Sequence, residues 1–243
     1  MKKEPFFIGH IPAVLYGEPS DRVWLFLHGK QGCKEEGLDF AELVCPKGWQ
    51  VCSIDMPEHG QRQGGPEQLV PWQVVPELEL VMACARSRWE QVALRANSIG
   101  AWFAMQAFGK EPPVRSLFVS PILDMAELIR RMMGWAGVTE AELEARGEIG
   151  TAFGETLSWR YWQYALDRPI TRWDSPTAVL YGGTDNLTPR STAEAFAARF
   201  HADLTVMEEG EHWFHTPEQL EVLRQWTLSH LEEGGPWSSH TAF

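Results

Sequence analysis

Residues 92–109 read VALRANSIGAWFAMQAFG, and the reading of this stretch decides the fold. An apolar run, Val92 to Ala96, meets a second one beginning at Ile99, with only Asn97 and Ser98 between them. The first run is short and rich in β-formers; the second is apolar nearly all round, as a buried helix is, and Gly109 closes it. Two readings of the polar pair stay open at this point. Asn and Ser cap helices well, or the abrupt strand-to-helix turn holds the Ser98 hydroxyl up for chemistry.

The pattern around it repeats along the chain. Strand candidates are VWLFL (23–27), QVCSI (50–54), QVALRA (91–96), VRSLFVS (114–120), TAVLY (177–181) and DLTVM (203–207). Most are continuous apolar runs, as expected of parallel strands covered on both faces. FFIGHI and AVLY, around Pro12, form an antiparallel hairpin at a sheet edge. Helices are expected over 36–44, from Pro76 to about Trp89, over 98–108, from Thr188-Pro189 to Phe200, and after the capping box Thr216-Pro217-Glu218-Gln219. Such alternation implies an α/β fold: a mainly parallel central sheet with helices on both faces.

One stretch breaks the rhythm. Residues 121–173 hold helical patterns, over Met125–Met133 and Thr139–Arg146, but no convincing strand. They are expected to form a helical cap on a core made of 1–120 and 174–243. This insertion carries Trp135, Trp159, Tyr161, Trp162, Tyr164 and Trp173. The tail from Gly234 is expected to be loose.

Composition narrows the function. The 243 residues suit one large domain, and a net charge of -12 repels nucleic acid. The start, MKKEPFFIGHIP, has too short an apolar run for an export signal, and no segment reaches membrane-spanning length. The four cysteines lack CxxC spacing, so we expect no metal, no redox motif and no cofactor, but reduced, mostly buried thiols in a cytoplasmic protein. Nothing in the sequence sets the oligomeric state.

Polar residues cluster where strands end, the usual place for a site in such sheets. His28-Gly29-Lys30 follows 23–27, Asp55-Met56-Pro57-Glu58-His59-Gly60 follows 50–54, and Asn97-Ser98 follows 91–96. Gly182-Gly183-Thr184-Asp185 follows 177–181, and Gly210-Glu211-His212 follows 203–207. A small-x-Ser-x-Gly pattern alone arises by chance in about one chain in five of this length. Its place between a buried strand and a buried helix, with four further motifs in order, carries more weight.

Over nearly its whole length the chain resembles the α/β-hydrolase fold superfamily. Ala96-Asn97-Ser98-Ile99-Gly100 is similar to the nucleophile elbow, with Ala96 for the usual first Gly. His28-Gly29 resembles the oxyanion-loop motif, and Asp55-x-Pro57-x-His59-Gly60 the D-x-P-G-H-G turn with Glu58 for a Gly. Gly183-Thr184-Asp185 and Gly210-Glu211-His212 resemble the acid and histidine loops. The resemblance implies a catalytic Ser98, His212 and Asp185, with oxyanion donors in the backbone N–H groups of Lys30 and Ile99. Asp124 competes for the acid's place and His215 for the base's.

The expected activity is hydrolysis of a small or medium carboxylic ester, or less readily a thioester or amide. Candidate substrate contacts are His28, Asn97, His59, Trp135, Trp159, Trp162 and Trp213. His28 is expected to shape the oxyanion loop with its ring bonded to backbone, and His59 and Asp55 to brace loops, with the entrance as a second place for His59. A peptidase, a carbon–carbon bond hydrolase served by Arg130, Arg131 and Arg160, and a ligand-binding protein without turnover are the alternatives.

Overall fold

Apolar alternation along single strands divides the core into two layers. We describe residues 1–231 from a computed structural model of the chain. The first half runs β1 (Lys3–Ile8), β2 (Ile11–Tyr16), β3 (Arg22–Leu27), α1 (Gly37–Val44), β4 (Gln50–Ile54), α2 (Pro71–Arg88), β5 (Gln91–Asn97) and α3 (Ile99–Phe108). Next come β6 (Ser116–Val119), α4 (Met125–Ala136), α5 (Glu140–Arg146), β7 (Glu148–Gly150), β8 (Thr156–Ser158) and α6 (Trp159–Asp167). The chain continues through β9 (Thr177–Gly182), α7 (Arg190–Phe200), β10 (Asp203–Met207) and α8 (Pro217–Ser229). The tail from Gly234 lies outside the described residues.

Eight strands form one sheet in the order β1-β2-β4-β3-β5-β6-β9-β10. From β4 to β10 every pairing is parallel, while β1 and β2 join antiparallel at one edge. Because side chains alternate across a strand, Val23, Leu25 and Leu27 enter one apolar layer and Trp24 and Phe26 the other. Phe40, Ala41 and Val44 of α1 and Trp226 of α8 cover the second layer. The first layer takes in α2, α3 and α7 and also Met125, Ile129, Met133, Leu143, Ile149, Leu157 and Trp162 of the 121–173 insertion. The insertion is thus packed into the body's own core.

Several expectations need correction. The edge hairpin turns at Gly9-His10, and Pro12 lies inside β2 opposite Phe7. Helix α2 begins at Pro71, five residues earlier than expected, and Pro76 stands in its interior. Either proline suits a first helical turn, but burial of Pro71 and Val74 rewards the longer helix and offsets the hydrogen bond that Pro76 cannot make. The insertion does contain strands: β7 and β8 pair antiparallel, Glu148 opposite Ser158. At three residues each they show no readable period. Of the four thiols, all free, only Cys52 is buried, and burial pushes its pKa up to about 12. No helix among the described residues is long and apolar enough to cross a membrane.

Candidate active site

Strand β5 stops at Asn97 and α3 starts at Ile99, so Ser98 alone makes the turn, with φ 48° and ψ -122°. A non-glycine residue there stores roughly 1–3 kcal/mol of strain, which the surroundings must hold. They do so through the backbone. The Ser98 N–H donates to Val119 O (3.0 Å), and its carbonyl accepts from Ala101 and Ile122 (3.1 and 3.0 Å). Gly100 has to be glycine: a Cβ on it would lie 2.6 Å from the His28 carbonyl oxygen. Gly29 also brings its loop close, since a Cβ there would stand 3.2 Å from Ser98 Cβ, a tight contact.

Two other strand ends meet the turn. Ser98 Oγ lies 2.8 Å from His212 Nε2, and His212 Nδ1 lies 2.7 Å from Asp185 Oδ2. A carboxylate only accepts, so Nδ1 carries the proton and Nε2 is left to accept from the serine hydroxyl. The Asp185 carboxylate is fully buried, and its other oxygen accepts the N–H groups of Leu187 (2.7 Å) and Thr188 (3.0 Å). These two N–H groups satisfy the buried carboxylate and aim its free oxygen at His212.

The acid and histidine loops are tied to one another. Gly183 N–H donates to Met207 O (2.7 Å) and Thr184 N–H to Gly210 O (2.9 Å), with the Thr184 hydroxyl on the same carbonyl (2.7 Å). A Cβ on Gly182 would stand 2.4 Å from Glu211 O, and one on Gly183 2.4 Å from Glu208 O. Only glycines let the loops pack that closely. The competing residues are engaged elsewhere: Asp124 caps α4 by accepting the Glu127 N–H (2.9 Å). His215 stacks on Trp213 with ring centroids 4.6 Å apart.

A cavity of about 850 Å³ opens beside Ser98 and Ile99. One wall is the α4 face carrying Met125, Leu128, Ile129 and Met132, at helical spacing; Trp72 of α2 and Tyr161 of α6 line it as well. Of the seven aromatics of the insertion, Trp135, Phe153 and Tyr161 line this cavity. Trp162 does not: it is buried in the core beneath the Arg130 guanidinium (5.3 Å). Trp159 packs against the same core, and Trp213 is 73% exposed beyond His212.

The remaining expected contacts are loop braces. His28 is fully buried; its Nδ1–H donates to Gly29 O (2.7 Å) and its Nε2 accepts the Met56 N–H (3.1 Å). Burial, the largest influence on it, pushes its pKa down to about 4, so the ring is neutral at pH 7. His59 is not at the entrance, because it is buried with Nε2 accepting the Gln31 N–H (2.8 Å) and Nδ1 bonded to Pro57 O (2.7 Å). Asn97 accepts Arg95 Nε (3.1 Å). Asp55 accepts from Lys34 N–H and Nζ (2.8 and 2.7 Å) and from Gln61 N–H (3.0 Å), joining the loops after β3 and β4. Trp72 and Phe153 line the cavity without having been expected there. Trp72 stands one residue into α2, a helix whose first turn the sequence reading left out.

No protein-family model matches the chain, and no curated protein matches its sequence. Solved structures do match. Est1E from Butyrivibrio proteoclasticus with ferulic acid bound superposes with a TM-score of 0.76 at 17% identity, over 94% of this chain and 97% of that one. Mouse alpha/beta hydrolase domain-containing protein 10 gives 0.72 at 14% identity, over 93% and 96%. The monoacylglycerol lipase of Paleococcus ferrophilus gives 0.65 at 16% identity, over 91% and 99%. The chain has the α/β-hydrolase fold.

Proposed function

We propose that this α/β-hydrolase-fold chain is a serine hydrolase that cleaves a small or medium carboxylic ester through an acyl-enzyme on Ser98. The observation that carries the reading is the unbroken chain of hydrogen bonds from Ser98 through His212 to Asp185, opening on an apolar cavity. The Pyrococcus furiosus esterase Pf2001 and the Paleococcus ferrophilus monoacylglycerol lipase, proteins of the same fold, are consistent with it.

The proposed steps follow from the chemistry of these groups. Ser98 Oγ attacks the ester carbonyl carbon while His212 Nε2 takes its proton. Asp185 holds the ring in the required tautomer and stabilises the imidazolium that forms. The carbonyl oxygen, now negative, takes N–H donors from Ile99 and Lys30. Ile99 opens α3, where a helix leaves its N–H groups without intrahelical acceptors. In the facing loop, Gln31 and Gly32 N–H groups are committed to His59 and Gly29, whereas the Lys30 N–H has no acceptor among the described residues. Losing one such donor costs about 3–4 kcal/mol of transition-state stabilisation.

His212 then returns the proton to the departing alkoxide, which leaves as an alcohol. Water enters, gives its proton to Nε2 and attacks the acyl-enzyme; collapse releases the acid and restores Ser98. In this account residues 121–173 act as the cap, setting the size and shape of the acyl group by the α4 face, Trp135 and Tyr161. Assay of a 4-nitrophenyl ester series from acetate to laurate tests the reading. We expect turnover with an optimum at short or medium chain length; no turnover of any member by a folded sample contradicts it.

A further inference from the structure

Charge around the cavity is uneven. Among the described residues that line it, Lys30 supplies the one cationic side chain, against the carboxylates of Glu58, Glu148 and Glu155. Lys30 is not available to a ligand. Its ammonium is ion-paired and hydrogen-bonded to Glu155, which stands in the turn joining β7 and β8. The pair therefore joins the loop after β3 to the insertion at the wall of the cavity. Glu58 accepts the Leu69 N–H (3.1 Å).

The arginines Arg130, Arg131 and Arg160 of the insertion are not among the residues that line the cavity, and each is engaged by the protein itself. The Arg130 guanidinium lies over Trp162 (5.3 Å) and that of Arg160 over Trp72 (3.8 Å), while Arg131 donates to the Asn186 carbonyl (3.1 Å). A basic cap that would receive a substrate carboxylate is therefore not what the insertion presents.

We propose that Glu155 is a specificity-determining residue: by neutralising Lys30 it makes the cavity accept uncharged acyl groups and refuse those carrying a carboxylate. The proposal rests on Ser98 being the acylated nucleophile. A carboxylate on the acyl chain would have to displace Glu155 from Lys30 and then lie among carboxylates in a partly desolvated space, where like charges repel strongly. The pair itself is 45% and 35% exposed, so it adds little to folding and its removal leaves the body intact.

Matched substrates test this: 4-nitrophenyl hexanoate and 4-nitrophenyl hydrogen adipate, equal in acyl length and differing by one terminal carboxylate. The unaltered enzyme should favour the hexanoate by about 50-fold or more in kcat/KM, and the preference should shrink with added salt. Glu155→Gln frees the ammonium and should narrow the preference about ten-fold, through the KM of the adipate ester. Lys30→Gln leaves Glu155 unpaired and should widen it. The double variant Lys30→Gln/Glu155→Gln should lose the gain of the single Glu155→Gln change.

A preference near one in the unaltered enzyme overturns the proposal, as does a Glu155→Gln effect that persists in the double variant. Turnover of the hexanoate without discrimination contradicts only this charge selection. Turnover of neither ester contradicts the hydrolase reading on which it rests.

Discussion

The strand-end loops and the 121–173 insertion both face the same cavity, yet they are built differently. Around Ser98, Asp185 and His212 the backbone is cross-tied by hydrogen bonds, and four glycines (Gly29, Gly100, Gly182 and Gly183) sit where a side chain would collide or crowd. The insertion offers an apolar helix face, a hairpin of two three-residue strands and a half-exposed Trp135 packed edge-on to Phe153. Preorganised polar geometry serves a reaction in which charge develops at one place. In the proposed mechanism, apolar surface without such constraint would serve selection among substrates. The contrast predicts that changes in the loops abolish turnover, while changes in the insertion redistribute it.

The largest effects belong to the loops. Ser98→Ala and Asp185→Asn should each reduce kcat for an ester by about 10⁴-fold or more, the second by leaving His212 in the wrong tautomer. Steady-state kinetics on samples with unchanged circular dichroism check this, and an Asp185→Asn variant of ordinary activity would break the comparison at its centre.

Next comes a stability effect on the same side. Unfolded, His28 has an ordinary pKa of about 6.5, whereas burial in the fold lowers it to about 4. The unfolded chain therefore takes up the proton first as pH falls. Stability from the neutral ring is complete above about pH 6.5 and is lost as pH drops through 4, on the order of 3 kcal/mol in all. Urea titrations across this range should show that slope, and His28→Gln should be less stable at pH 7 but flatter with pH.

The insertion should answer more gently. Trp135→Ala, at a residue 49% exposed on the cavity wall, should lower kcat/KM for aromatic esters about ten-fold, chiefly through KM. Comparing aromatic with short alkyl esters would show it; an equal fall for every ester would place Trp135 with the loops instead. Smallest of all, Asp124→Ala should spare turnover and cost about 1 kcal/mol through loss of the α4 cap, read as a lower urea midpoint.

Legibility in the sequence follows the same division. The elbow could be read because few residue types survive there: Gly100 lies under a carbonyl, and Ser98 stands between a buried strand and a buried helix. Asp185 and His212 each follow an apolar run at a strand end, but so does Asp124; the resemblance of their loops to the acid and histidine loops of the α/β-hydrolase fold singles them out. The insertion gave no such purchase. Met125, Leu128, Ile129 and Met132 have the periodicity of a core-facing helix, and periodicity does not distinguish a core from a cavity. Trp135 and Trp162 are the same residue type on neighbouring helices, one on the cavity wall and one in the core. His28 and His59 flank the site, and their ring nitrogens are taken up by backbone groups of the loops, in keeping with the loop-bracing roles expected of them.

One measurement bears most directly on the central claim that Ser98 is an activated nucleophile. The folded protein would be treated with a fluorophosphonate and the modified peptide mapped by mass spectrometry, with Ser98→Ala alongside. The account predicts a single stoichiometric adduct on Ser98, slowed by prior incubation with an ester substrate and absent from the variant. An unlabelled Ser98 in a folded sample, or an adduct that survives Ser98→Ala, would contradict it.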